Sequence, residues 1–328
     1  MDLRCLNMHS GERFSCVNGD CVDVLKQFPS DCIDFSCYSP PFGSLFTYSE
    51  SAADMGNSTD EEFAQHYAYL VAEKLRVTKP GRLTAVHCSD LPMTKWKDGA
   101  VGIKDFSGQI IRAHEDAGWV YHGRRTIWKC PVVEMTRTKH VGLLYKQLQK
   151  DSSKSRGGMP DYLLTFVKPG DNAELISHTP ADFPLEQWQE WASPVWMTIQ
   201  QSNVLNTRMA KANEDERHLC PLQLDVIERA IIMWSNKNDI VLSPFAGIGS
   251  EGVVALKLGR RFVGIELAQK YWRFQCQYLD DSDRQRALDL DGYDANKDLA
   301  GSLNDGYEAI RERVAAGGPG WERTGGKK

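Results

Sequence analysis

Asp239-Ile240-Val241-Leu242-Ser243-Pro244-Phe245-Ala246-Gly247-Ile248-Gly249-Ser250-Glu251-Gly252 reads as a strand, a glycine loop and the start of a helix. The apolar run is short and continuous, as in a strand buried on both faces. Gly247, Gly249 and Gly252 fit G-x-G-x-x-G, a loop that lets backbone approach a ligand and helix approach strand. A second strand, 261–266, ends on Glu266, nineteen residues after Gly247. A carboxylate there can accept hydrogen bonds from both hydroxyls of a ribose. Three nucleoside cofactors remain open on these residues: NAD, FAD and S-adenosylmethionine.

Outward from this loop the chain alternates strand and helix. Strands are expected at 14–18, 32–38, 83–88 and 119–129, and helices at 22–28, 61–79, 106–117, 222–234 and 269–279. The alternation fails from Pro131 to about Asn213, where polar loops, the Gly157-Gly158 pair and Trp188, Trp191 and Trp196 suggest an inserted subdomain. Beyond Asp280 the chain is acidic and glycine-rich, with one helix expected near 307–314. Few residues follow Glu266, so the remaining strands of the sheet must come from the N-terminal half. The expected fold is therefore α/β, a circularly permuted Rossmann-like sheet.

Composition narrows the class. The 328 residues are 41% hydrophobic and 25% charged with a net charge of −5, ordinary values for a folded domain and far from those of disordered chains. No apolar run reaches the ~20 residues of a membrane helix. The N-terminal residues show no signal-peptide pattern, and nine scattered cysteines without a Cys-x-x-Cys pair fit reduced thiols. A cytoplasmic protein is the expectation, associated with the nucleoid of a bacterial or phage-infected cell. His87, His114, His122 and His140 lack metal-ligand spacing, so no metal is expected. Between Arg124 and Lys168 ten Lys/Arg face three acids, Glu134, Asp151 and Asp161. Such a basic stretch in an acidic chain suits a polyanion.

A second motif lies near the start. Ser39-Pro40-Pro41-Phe42 follows the buried 32–38 strand, at the edge where open α/β sheets bind ligands. Two prolines fix the backbone and remove two amide donors, leaving carbonyls as rigid acceptors beside an aromatic ring. That arrangement suits a flat group carrying an NH2.

With Pro244–Ser250, this motif resembles those of the amino-group DNA methyltransferases, which methylate N6 of adenine or N4 of cytosine. The order, catalytic loop first and cofactor loop last, is that of the family's permuted β group. Asn18-Gly19-Asp20, Lys79-Pro80-Gly81-Arg82-Leu83 and, loosely, Arg217-His218-Leu219-Cys220-Pro221-Leu222 resemble further family segments. Two departures stand out. Ser243 replaces the acid that usually opens the cofactor loop, and Leu219-Cys220 separate His218 from its usual proline.

The resemblance implies S-adenosylmethionine as cofactor, held by Asp20, Ser39, His218, Phe245, Ala246, Gly247, Gly249, Ser250 and Glu266. It implies that Ser39, Pro40, Pro41 and Phe42 form the catalytic loop, with Phe42 stacked on a flipped base. Double-stranded DNA would be the partner, met by Arg124, Arg125, Arg137, Lys139, Lys146, Lys154 and Arg156, and the enzyme would be a homodimer. Residues 1–130 and 214–280 would form the two halves of the methyltransferase domain, 131–213 a target-recognition insertion and 281–328 an extension.

Ser before Pro-Pro is commoner among N4-cytosine enzymes. The whole chain looks more like solitary phage or prophage enzymes, where adenine methylation is frequent, so the reading leans to N6-adenine with N4-cytosine as the alternative. A nicotinamide dehydrogenase would share the glycine loop and Glu266 but leaves Ser-Pro-Pro-Phe unexplained. A non-catalytic DNA-binding protein on the same fold and an RNA or protein methyltransferase are the other competitors.

Overall fold

The computed structural model describes residues 5–41, 60–93, 95–138, 141–205 and 222–290. Its strands are β1 (Cys5–Ser10), β2 (Phe14–Gly19), β3 (Phe35–Tyr38), β4 (Leu83–Cys88), β5 (Leu91–Met93), β6 (Gly102–Lys104), β7 (Val120–Ile127), β8 (Asp161–Val167), β9 (Val195–Trp196), β10 (Ile240–Ser243) and β11 (Arg261–Glu266). The helices are α1 (Cys21–Leu25), α2 (Asp60–Val77), α3 (Lys95–Asp98), α4 (Phe106–Asp116), α5 (Pro131–Thr138), α6 (Tyr145–Lys150), α7 (Leu185–Trp191), α8 (Leu224–Trp234), α9 (Ser250–Lys257) and α10 (Gln269–Leu290).

Nine strands form one sheet in the order β1-β2-β11-β10-β3-β4-β8-β7-β9, and β5-β6 is a separate hairpin. The middle of the sheet, β2 to β4, is parallel. Both faces are covered, which explains why these strands are uninterrupted apolar runs. One core contains Leu25 of α1, Tyr67 and Leu70 of α2 and Ile110 of α4. The other contains Ile227 of α8, Val254 of α9 and Leu279 of α10.

The sheet is permuted as expected. β11, from the C-terminal third, pairs in parallel with β2, from the N-terminus, and brings Glu266 opposite Asn18. The buried Asn18 amide reinforces this seam by donating to the carbonyls of Glu266 and Leu267, at 2.8 and 2.9 Å.

One expectation needs correction. Residues 131–213 are not all polar loop: β8 lies inside the sheet, antiparallel to both β4 and β7, and β9 extends its edge. β1 was also unread. The run 162–167, Tyr-Leu-Leu-Thr-Phe-Val, is itself a buried-strand signal, masked by its basic and polar flanks. The helix expected at 307–314 lies outside the described residues.

At the opposite edge from the loops named above, Arg82 is fully buried and donates to Asp239 Oδ2 at 2.8 Å. Its guanidinium also lies 3.6 Å from Asp34, whose carboxylate meets Lys79 at 2.7 Å. This network clamps the starts of β4 and β10 to the residue just before β3.

Asn18→Ala removes both bonds across the seam and leaves two carbonyls short of a donor. We expect a loss of about 1–3 kcal/mol, read as a lower urea midpoint with an unchanged m-value.

Candidate active site

Ligands of open parallel sheets sit beyond the carboxyl ends of the strands, where neighbouring connections diverge. Here that point lies between β10 and β3, adjacent in the sheet. The glycine loop leaves β10 and the Ser-Pro-Pro loop leaves β3. Their roots touch: the rings of Tyr38 and Phe245 are 5.9 Å apart. Tyr38 is fixed from below by a 2.9 Å hydroxyl contact with Tyr67 and by Lys74 Nζ, 3.8 Å from its ring centroid.

The glycine loop is shaped by positive φ at Gly247 (+52°) and Gly249 (+93°), a conformation that side chains disfavour. A Cβ on Gly247 would meet nothing within 4 Å, so the loop opens there onto free space. Gly252 has the other role. A Cβ there would lie 2.6 Å from the Phe262 ring, so this glycine lets α9 press against β11.

Glu266 closes the loop from the next strand. One carboxylate oxygen accepts from the Gly247 amide at 2.9 Å and the other from the Ala268 amide at 2.8 Å. Asp20 caps α1, accepting from the amides of Val22 and Asp23, and burial raises its pKa. Strand pairing thus brings two acids to one edge from opposite ends of the chain. An open glycine cradle between two fixed carboxylates fits a nucleoside carrying a ribose and an amino-acid tail. Ser243, the departure from the family pattern, has a buried hydroxyl without a hydrogen-bond partner.

Ser39 is half-buried beyond β3. Its hydroxyl donates to the His87 carbonyl at 3.1 Å and lies 3.4 Å from His87 Nδ1. The other ring nitrogen of His87 is 3.4 Å from Asp161, an ion-pair distance rather than a well-formed hydrogen bond. Asp161 in turn holds Lys129 Nζ at 2.8 Å. Burial raises the Asp161 pKa, but His87 and Lys129 outweigh it and bring the carboxyl to about 2. Sequence reading gave Asp161 and Lys129 no part in the site, and set His87 aside for want of metal-ligand spacing. The pairing of β8 with β4 on one side and β7 on the other is what assembles them.

Phe42, Lys139 and His218 lie outside the described residues, as does the side chain of Arg137 on α5. The other basic candidates do not form one patch of free cations. Arg124 is exposed and sits 4.8 Å over the Tyr162 ring. Arg125 lines a cavity of about 540 Å³ with Phe183, Trp188 and Trp234, its Nε buried without a partner. Arg156 is held by Glu134 at 2.9 Å, an ion pair only 16% and 9% exposed. Lys146 is exposed; Lys154 is also exposed and meets Asp151 at 3.1 Å. Trp191 and Trp196 are core residues under Arg229, whereas Trp188 is exposed. Asp34, Glu174 and Asp239 have metal-like spacing, but Arg82 and Lys79 already balance them.

The N6/N4 methyltransferase sequence family, described as DNA methylase, matches residues 33–276. The chain belongs to this DNA methylase family. Enzyme class and cofactor come with it: a methyltransferase that uses S-adenosylmethionine. Among its relatives are the DNA adenine methyltransferase YhdJ of Escherichia coli, 28% identical over 280 residues that cover 84% of this chain and 85% of that protein. The type II methyltransferase M.BamHI of Bacillus amyloliquefaciens is 25% identical over 76% of this chain, which spans about half of that longer protein (53%).

Two solved structures share the methylase's fold. A DNA modification methylase of Thermus thermophilus, complexed with S-adenosyl-L-methionine, superposes with a TM-score of 0.62 at 19% identity, covering 83% of this chain and 94% of that one. The cytosine-N4-specific PvuII methyltransferase gives 0.59 at 16% identity, covering 93% and 94%. No helix among the described residues is long and apolar enough to cross a membrane.

Glu251, in the first turn of α9, is buried in the methylase, and that burial pushes its carboxyl up to about 8. The folded state therefore holds this proton more tightly than the unfolded chain does. The stability it contributes is complete below the ordinary 4.5 and is lost as pH rises through 8. Glu251→Gln keeps a neutral side chain at every pH. Its urea midpoint should fall less between pH 5 and 9 than that of the parent; parallel curves would disprove the assignment.

Proposed function

We propose that the chain methylates the exocyclic amine of a base flipped out of double-stranded DNA, at N6 of adenine. The observation that carries this is the shared edge: the Ser39-Pro40-Pro41 loop and the glycine loop leave adjacent strands, joined by the Tyr38–Phe245 contact. An amine held by the first loop would face a methyl donor held by the second.

S-adenosylmethionine, when bound, supplies an electrophilic methyl group on a sulfonium. Gly247 and Gly249 would admit its amino-acid end, Glu266 would take the ribose hydroxyls, and Asp20 would lie by the adenine. The target amine is a poor nucleophile because its lone pair is delocalised into the ring. Acceptance of its N–H bonds by the Ser39 oxygen and the Pro40 carbonyl would favour a pyramidal nitrogen with that pair turned to the methyl. This is positioning with preorganised polarity and needs no covalent enzyme intermediate. A base inside the duplex is out of reach, so it must be flipped. Phe42 would stack on it, a contact of about 1–3 kcal/mol in single-strand binders.

The adenine assignment draws support from the overall likeness to the E. coli adenine enzyme. A specific observation favours cytosine N4 instead: Ser precedes Pro-Pro here, and the N4-specific PvuII enzyme shares the fold. Long-read sequencing of DNA from cells expressing the chain separates the two. We expect N6-methyladenine in one sequence context; N4-methylcytosine would replace the assignment, and unmodified DNA would reject methylation of DNA. Glu266→Ala should weaken S-adenosylmethionine binding in a folded protein, and unchanged calorimetric affinity would remove its role. Ser39→Ala should slow methyl transfer with cofactor binding intact.

Arg124, Lys146 and Lys154 are the exposed cations best suited to phosphate, whereas Arg156 is engaged with Glu134. Lys146→Gln should weaken binding to all DNA sequences alike and reduce the salt slope by about one unit. Loss of discrimination at one base pair would mark a base reader instead. A homodimer would suit a palindromic site. Light scattering of the active enzyme at the monomer mass of 37.0 kDa would end that proposal.

A further inference from the structure

Methyl transfer leaves a surplus proton on the amine, and the residues that touch the base are poor homes for it. A serine hydroxyl and a proline carbonyl are weak bases. Ser39 has a second difficulty. To accept from the amine, its hydroxyl proton must point elsewhere.

The geometry behind Ser39 answers both points. Its hydroxyl sits between two acceptors of one residue, the His87 carbonyl at 3.1 Å and the Nδ1 ring nitrogen at 3.4 Å. Whichever takes the proton, the serine lone pairs are left for a substrate. The His87 ring faces Asp161 with its other nitrogen, at 3.4 Å. Asp161 is nearly buried, is paired with Lys129, and stays ionised. The tautomer that carries its hydrogen on Nε2, toward this carboxylate, leaves Nδ1 as an acceptor. The mutual order Ser39, His87, Asp161 is that of a nucleophile, its base and the group that orients the base. Here the serine would not attack.

We propose that His87, oriented by Asp161, positions the Ser39 hydroxyl as a hydrogen-bond acceptor and receives the proton released by methyl transfer. The proposal rests on the reading of Ser39 as the residue that contacts the amine. The amine lone pair forms the N–C bond as the S–C bond breaks, with its electrons left on sulfur. The surplus proton passes from nitrogen to Ser39 Oγ while the serine's own proton moves to His87 Nδ1. The imidazolium so formed faces the Asp161 carboxylate and returns its proton to water after product leaves. His87 and Asp161 are positioning residues, since both act through Ser39.

The test is single-turnover transfer of tritiated methyl from S-adenosylmethionine to DNA, with both affinities measured alongside. His87→Gln should lower the transfer rate about 10²-fold, the scale of general acid–base assistance, with cofactor and DNA affinities unchanged. In a Ser39→Ala background the same substitution should cost nothing further, because residues acting through one group are not additive. Asp161→Asn, which preserves shape, should slow transfer in the parent and not in Ser39→Ala, and it carries the test if His87→Gln fails to fold. A native rate in either variant overturns the relay. So does an equal loss with and without Ser39, which marks a packing role. If Ser39→Ala itself transfers at the native rate, the reading of the catalytic loop fails, a result distinct from failure of the relay.

Discussion

The parallel pairing of β11 with β2 is the constraint on which the rest of the molecule depends. It joins strands from the two ends of the chain, and Glu266 comes opposite Asn18 only through it. Without that seam the glycine loop would be a cradle with one wall, because Asp20 belongs to the N-terminal half. The two Asn18 amide bonds sit at the last step of the pairing, where the strand hands over to the site. A one-residue slip would reverse which side chains of β11 face each core. The price of the arrangement is kinetic: a contact between residues so distant in sequence closes late in folding.

Rigidity is concentrated at the other edge of the sheet. Arg82, Asp34 and Asp239 are buried together, and Asp34 also accepts from the Ile240 amide at 2.8 Å. Burial, with the repulsion of Asp34 added to it, lifts the Asp239 carboxyl to about 6 despite the arginine. Buried ion networks add little net stability compared with apolar packing. This one joins the beginnings of three adjacent strands, β10, β3 and β4. Their far ends are therefore delivered in fixed register, and those ends carry the glycine loop, Ser39 and His87.

The central strands were legible in the sequence because they are buried on both faces. β4 and β11 match their expected bounds, 83–88 and 261–266, and the glycine loop and Glu266 announced the ligand edge. β1 was not legible: it is an edge strand of mixed polarity, defined by its partner. Charge was legible only as a sum. Ten basic residues in one stretch gave no hint that Arg156 would be held by Glu134, or that Arg125 would turn into an aromatic-lined cavity. Those outcomes are set by tertiary neighbours. Asp161 was hidden for a related reason. It opens a strand that was not recognised, so its proximity to His87 followed from no local pattern.

That strand also explains how a residue so far along the chain reaches the catalytic edge. In a parallel sheet only the last residues of each strand arrive there, so chemistry must come from strand ends and the loops after them. β8 runs against β4, with Tyr162 opposite Cys88 and Leu163 opposite His87. Its first residue, not its last, therefore meets the active edge. Asp161 arrives there already constrained, and Pro160 beside it is tied to Ser89 through a 2.9 Å hydrogen bond. A loop residue in the same place would need its own support to hold a buried negative charge. One reversed strand lets the sheet supply a carboxylate behind Ser39 from the side opposite Glu266, so the two acids are held apart by the width of the parallel core.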